Sequence, residues 1–333
     1  MKSYKNLYQK ICSFSNLLNA FYKAYKGKKN KPEVIEFFFN YEFELMLIQE
    51  ELLTNKYQPD KYKNFYVYEP KKRHICAASF RDRIVHHSIC NILEPIFEKI
   101  FIYDSFACRK NKGHHRAVKR VQSFCRKRKF FLKTDIRKFF PSVDHYVLKQ
   151  LLLKKINDPQ LINLMNKIIE QPLPKHPKGK GLPIGNLTSQ WWANYYLNTL
   201  DHYIKDELGI KYYVRYMDDI IILDNEKENL QWLRVKIVKF LEQRLLLELK
   251  DSATYISPVH QGISYLGFRI FPQTVRLKHE SLLRFKRKYQ LREEQYIKGE
   301  IDWNTFIKST SSLIGHIKHA NTYKVRYNFF YKN

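Results

Sequence analysis

Apolar and polar positions divide this chain into elements before any residue is weighed for chemistry. Residues 1–60 read as helical and amphipathic, with Val34 to Leu53 carrying apolar residues at helix spacing. Phe65-Tyr66-Val67-Tyr68 and His74-Ile75-Cys76-Ala77 predict a strand pair over 61–80, and Arg81 to Ile100 turns helical again. Phe130-Phe131-Leu132-Lys133-Thr134 is an apolar run of strand length that ends on Asp135. Tyr212-Tyr213-Val214 and Ile220-Ile221-Ile222-Leu223 flank Tyr216-Met217-Asp218-Asp219, which predicts a buried hairpin with acids at its turn. Asn225 to Lys250 reads as a charged turn and then a helix with Leu230, Leu233, Ile237 and Leu241 on one face. Gly262 to Phe268 predicts a second hairpin, and from Arg276 onward the chain reads as helical and basic.

Charge changes this picture most. Across 333 residues, 60 Lys+Arg stand against 32 Asp+Glu, a formal charge of +28, with a pI near 9.7. Such a balance points to nucleic acid or an anionic surface. The apolar fraction of 44% excludes wholesale disorder, and the length allows two or three subdomains. No run approaches ~18 uninterrupted apolar residues, so a membrane partner is not expected. Residues 104–138 hold thirteen Lys/Arg and two acids, a stripe suited to a polyanionic backbone, and the segment from Arg276 holds 13 Lys/Arg against 5 acids.

Five scattered cysteines without a Cys-x-x-Cys pair argue against a zinc ribbon or a disulfide framework, and a reducing cytoplasm is expected. His86-His87 and His114-His115 are adjacent pairs, whose side chains do not easily share one metal on a regular element; nucleic-acid contact or packing is the expectation there. Glycine is scarce, and neither the dinucleotide nor the P-loop fingerprint occurs.

Asp135, Asp218 and Asp219 are the candidate chemistry. Buried, mutually repelling carboxylates are costly unless a cation neutralises them. If the strand ending at Asp135 neighbours the acid-bearing hairpin, three carboxylates converge on a site for two Mg²⁺ ions, which suggests phosphoryl transfer on nucleotides.

A set of motifs in order then resembles the reverse transcriptase family. Arg73-His74-Ile75-Cys76 and Phe80-Arg81-Asp82-Arg83-Ile84-Val85 look like fingers motifs, and Phe131 to Phe140 looks like motif A. Leu182-Pro183-Ile184-Gly185-Asn186-Leu187-Thr188-Ser189-Gln190 looks like motif B, Tyr216 to Asp219 like motif C, and Tyr265-Leu266-Gly267-Phe268 like the primer grip. The resemblance implies an α+β right-hand polymerase with fingers, a palm of antiparallel sheet flanked by helices, and a helical thumb. Residues 1–125 would be N-terminal helices and fingers, 126–275 the palm with part of the fingers at about 147–182, and 276–333 the thumb.

The same resemblance implies residue roles. Asp135 and Asp218 would bind both metals, Asp219 would assist near the primer terminus, and the carbonyl of Ile136 would be a further ligand. Arg73 would contact the incoming dNTP, and Phe139 would be the steric gate that excludes a 2′-hydroxyl. Ile184 and Gly185 would lie against the nucleotide and its template base. Tyr216, Met217, Ser189, Gln190, Leu266 and Gly267 would contact primer or template, although Ser189 also reads as a helix-start residue. For the general acid of motif D, Lys250 and Ala253 compete.

Ile184-Gly185 with Ser189-Gln190 replaces the commoner Gln-Gly and Ser-Pro, and is similar to the reverse transcriptases of diversity-generating retroelements, as is Leu313 to Thr322. That likeness implies mutagenic, adenine-biased cDNA synthesis on a cognate template RNA, through an RNA/DNA duplex, with a small basic accessory protein oligomer, in a bacterial or phage setting. The rivals are another bacterial reverse transcriptase, of retron or antiphage-defence type, a metal-dependent nuclease, and a non-catalytic RNA-binding protein with a vestigial palm.

Overall fold

The computed structural model describes residues 3–69, 71–174 and 176–331. In chain order the elements begin with helices α1 (Tyr8–Cys12), α2 (Phe14–Tyr25), α3 (Pro32–Phe39) and α4 (Tyr41–Leu53). Strands β1 (Lys63–Val67) and β2 (Arg73–Ala77) precede α5 (Phe80–Glu98) and α6 (His114–Cys125). Then come β3 (Phe130–Asp135), α7 (Phe139–Ser142), α8 (His145–Leu153), α9 (Pro159–Ile169) and α10 (Leu187–His202). After β4 (Tyr213–Tyr216), β5 (Asp219–Asp224) and α11 (Lys227–Phe240) lie β6 (Tyr255–Pro258), β7 (Ile263–Tyr265), β8 (Phe268–Ile270) and β9 (Val275–Leu277). Three helices close the chain: α12 (His279–Ile297), α13 (Trp303–Ile317) and α14 (Tyr323–Tyr331).

This mixed helix-and-sheet arrangement is of the α+β class. The chain divides into two compact units that interleave along the sequence. One comprises 1–103, 136–209 and 237–249; the other comprises 104–135, 210–236 and 250–333.

In the first unit, helix starts are written into the sequence. Ser79, Asp144 and Asp158 cap α5, α8 and α9 by accepting from the amides of Asp82, Val147 and Leu161 at 3.1, 3.1 and 3.2 Å. The helix spacing read over Val34 to Leu53 is carried by two helices, because Asn40 leaves helical geometry at φ −126° and ends α3 before α4 begins. Phe21 anchors the packing of this region, stacked on Tyr41 at 5.0 Å and meeting Phe80 edge-on. The expected strand pair is β1–β2, antiparallel with Lys63 opposite Ala77.

In the second unit a four-stranded antiparallel sheet runs β4-β5-β3-β6, and a three-stranded sheet runs β7-β8-β9. Phe131, Val214, Ile221 and Leu223 from the first sheet share one core with Val118, Val121 and Phe124 of α6 and with Tyr265 and Phe268. Leu132, Thr134, Ile220 and Ile222 alternate with these and are fully buried as well. A strand buried on both faces reads as an unbroken apolar run, which is how β3 and β5 appear in the sequence. Neither β6 nor β9 was expected; the second falls where helix was read, and both are set by pairing with distant strands.

Among the described residues, no helix is long and apolar enough to cross a membrane.

Candidate metal and nucleotide site

The sheet register places the acids. β3 and β5 pair antiparallel from Phe130 opposite Asp224 to Asp135 opposite Asp219. Residues directly opposite on an antiparallel ladder project to the same face, so two like charges meet at the last rung. The β4–β5 hairpin closes with Tyr216 opposite Asp219, leaving Met217-Asp218 as a two-residue turn. Met217 takes φ +55°, the left-handed conformation that such a turn demands and that a methionine adopts at a cost.

Asp219 is the strained member. Its Oδ1 is sealed from solvent without a hydrogen-bond donor, and Lys133 Nζ stands 3.7 Å away. Burial pushes its carboxyl up to about 7; Lys133 opposes this, and the neighbouring Asp135 and Asp218 add to it. Lys133 lies two residues before Asp135 on the same face, and its ammonium donates to Ser264 O at 2.7 Å. It therefore joins the acid site to the strand leading into the Leu266-Gly267 turn, where Leu266 and Gly267 both take positive φ. Tyr255 and Tyr265 feel the same acid: burial first, and then the Asp219 charge, raises both phenols.

An acid oxygen without a donor, crowded by two further carboxylates, fits a hard divalent cation with oxygen ligands. The three carboxylates do not close on one another to the distance found elsewhere in the chain. Among the described residues, the group whose ligand atoms all lie within 4.8 Å is His114, His115 and His316.

Arg215 was not foreseen. It is fully buried, donates from Nη1 to Met217 O at 3.1 Å and from Nη2 to Ser105 Oγ at 3.3 Å. Its own backbone bonds Asp104 O and Phe106 N at 2.9 and 3.0 Å. An arginine inside a strand gives no local signal that it braces a turn two residues on; only the pairing of segment 104–106 with β4 reveals it. Lys250 is tied in too, its amide donating to Asp135 O at 2.8 Å, and Thr254 Oγ1 lies 2.8 Å from Thr134 Oγ1.

The residues that the resemblance assigns to the nucleotide belong to the first unit. Arg73 is exposed as the first residue of β2. Ile136, next to Asp135 in the chain, bridges Leu249 and is 2% exposed. Phe139 is 2% exposed and meets the half-buried Phe140 edge-on at 5.6 Å. Gly185 has φ +125°, and a Cβ there would lie 2.9 Å from Ile75 Cγ2. The close approach that Gly185 permits is thus to β2, whose Cys76 amide donates to Ile184 O at 3.1 Å.

Asn186 precedes α10 and accepts from the Ala78 amide at 3.1 Å. Ser189 is therefore not the helix start; it is the third residue of α10, fully buried, with Oγ lacking a partner, and Gln190 beside it is half-buried. In the fingers motif, Asp82 is buried and accepts from Tyr57 OH at 2.7 Å and the Asp60 amide at 2.8 Å. Arg81 pairs with Glu51, and Arg83 with Glu33 at 2.7 Å, so these arginines are occupied structurally.

Residues 61–270 match the family described as reverse transcriptase (RNA-dependent DNA polymerase). The group II intron-encoded protein LtrA of Lactococcus lactis is 23% identical over 67% of this chain and 49% of its own length. Protein YkfC of Escherichia coli is 25% identical over 68% of this chain and 71% of its own. The chain thus spans about half the length of LtrA. A truncated apo telomerase from Candida tropicalis shares the fold at a TM-score of 0.51, with 12% identity over 68% of this chain and 58% of that one.

Proposed function

The chain belongs to the reverse transcriptase family, and on that premise we propose that it is an RNA-directed DNA polymerase that copies a cognate template RNA with dNTPs and two Mg²⁺ ions. The observation that carries this is the rung joining Asp135 to Asp219, beside the turn bearing Asp218. Asp135, Asp218 and Asp219, with the carbonyl of Ile136, would hold the ions. When bound, the ions supply charge that helps a 3′-hydroxyl lose its proton and pyrophosphate leave.

The chain's own residues prepare that step. Lys133 restrains Asp219, Arg215 sets the turn, and Tyr216, Met217, Leu266 and Gly267 bear on the primer. Arg73 would clamp the triphosphate through its bidentate fork, and Ile184, Gly185, Ser189 and Gln190 would bear on the template–nucleotide pair. Of the two aromatic rings that end motif A, the buried Phe139 backs the half-buried Phe140, which favours Phe140 over Phe139 as the gate for the sugar. Residues 1–125, 126–275 and 276–333 would act as fingers, palm and thumb.

Motif B favours synthesis of the diversity-generating kind, mutagenic at template adenines and assisted by a small basic accessory protein. Isoleucine at 184 offers only dispersion contact where glutamine offers a hydrogen bond worth ~1 kcal/mol, which is roughly a fivefold change in selectivity. The similarity to LtrA favours a second reading, in which the chain serves an intron-type element.

Primer extension on homopolymer RNA with dNTPs and Mg²⁺ tests the polymerase. Asp218→Asn should abolish extension and retain RNA binding, whereas equal activity would overturn the assignment. Sequencing of cDNA made on a natural template separates the two readings: errors concentrated at adenines support the first, and uniform low error supports the second.

A further inference from the structure

The second unit holds a group of side chains that polymerisation does not use. α6 opens with His114 and His115, and α13 carries His316 one residue before its end. Each of the three offers an imidazole nitrogen, and these atoms all lie within 4.8 Å of one another. The rings of His114 and His115 are 3.7 Å apart, and both lie about 5.5 Å from His316, at 5.5 and 5.4 Å. His319 stacks on His115 at 3.4 Å with planes 21° apart.

Adjacent residues on a helix diverge by about 100°, and the expectation was that a histidine pair would not share a ligand. The pair occupies the first two positions of α6, after Gly113 at φ +92°, and there the two rings lean together.

Packing alone does not account for the arrangement. His114 Nε2 and His115 Nδ1 are sealed from solvent without a hydrogen-bond partner, and each such group costs on the order of 1–3 kcal/mol. The neutral imidazole is the form that ligates a metal. Lys119 and Arg284 are the cations that oppose an ion here, and Phe268 supplies an apolar wall.

We propose that His114, His115 and His316 bind a borderline transition-metal cation, Zn²⁺ by the chemistry of the donors, and so pin the start of α6 to the end of α13. An all-imidazole set selects such ions over Mg²⁺ or Ca²⁺. Three histidines leave the fourth tetrahedral position for water or another donor. Nitrogens at ~2.0–2.1 Å from Zn²⁺ stand roughly 3.3 Å apart, so binding would draw the ligand atoms together from separations that now reach no more than 4.8 Å. His319 holds the face of His115, so its own in-plane lone pair is not aimed at the same point. The site shares no ligand with the carboxylates and does not depend on the polymerase reading.

The test uses the untagged full chain, stripped with chelator and given Zn²⁺ or Co²⁺ alone. One Zn²⁺ per chain should survive gel filtration, and Co²⁺ should give the visible absorption of a four- or five-coordinate site. Both signals should be lost in His316→Ala and His115→Asn and retained in Asp218→Asn, which separates this site from the acids. A wild-type chain that retains no metal overturns the proposal without reference to any variant. Binding unchanged in folded His316→Ala and His115→Asn overturns it equally, as does binding lost only in Asp218→Asn.

Discussion

Asp135 and Asp219 face each other across the final rung of the β3–β5 ladder, so the fold itself presses two carboxylates onto one face. The backbone register makes this meeting unavoidable, and relief must come from Lys133, from protonation or from a cation.

Asp219→Asn should therefore stabilise the metal-free protein, by about 1 kcal/mol, because it removes a like-charge pair. The sign with pH follows from an acid whose folded pKa is raised to about 7. Between the unfolded value near 4 and that point the native state holds the extra proton, so this contribution falls as pH rises. Thermal melts from pH 4 to 8 should show that decline in the wild type and its loss in the variant. Mg²⁺ should raise the melting temperature of the wild type most above pH 7 and that of Asp219→Asn little. Extension by the variant should fall on the order of 10²–10³-fold.

Arg215→Met should be costly out of proportion to its distance from the chemistry. It strips Met217 O and Ser105 Oγ of their donor while filling most of the same space, a loss of about 3–5 kcal/mol by the standard of broken buried polar networks. Urea titration reads the loss. A variant as stable as the parent would show that the turn holds itself.

Phe139→Ala and Phe140→Ala should separate packing from selectivity. The first empties a buried aromatic site and should cost about 3–5 kcal/mol. The second should leave the melting temperature nearly unchanged while raising the use of rNTPs relative to dNTPs. Competition assays that show the reverse pattern would return the gate to Phe139.

His86 is fully buried, and both its ring nitrogens lack partners. Burial first, then His87 and Arg83, depress its pKa to about 3. The unfolded chain gains a proton near pH 6.5 that the native state refuses, so stability is lost as pH falls below that value. His86→Leu should be more stable than the wild type by about 2 kcal/mol at pH 5 and show no such advantage at pH 8. Parallel curves for the two proteins would place the acid sensitivity elsewhere, with His87 the next group to examine.

Local pattern carried much of this organisation. β3 and the β4–β5 hairpin were legible because apolar runs of strand length end on acids, and β1–β2 and β7–β8 because turn residues separate them. The three aspartates stood out for the same reason. Asn40 splits a helix that apolar spacing alone would continue, since that spacing does not register a single backbone departure. β6 and β9 have little alternation of their own and exist through partners far along the chain. Arg215 and His316 were hidden on the same ground. What makes each important is a segment about 110 to 200 residues away, at Ser105 and at His114, which no window of periodicity spans.

The Met217-Asp218 turn is locked on both sides, by its ladder below and by a guanidinium behind it. Little freedom remains there for tuning. Adaptation to new sugars, bases or error rates would accordingly be sought at positions such as 73, 140 and 184, which can be exchanged like the jaws of a chuck while the drive shaft stays as it is.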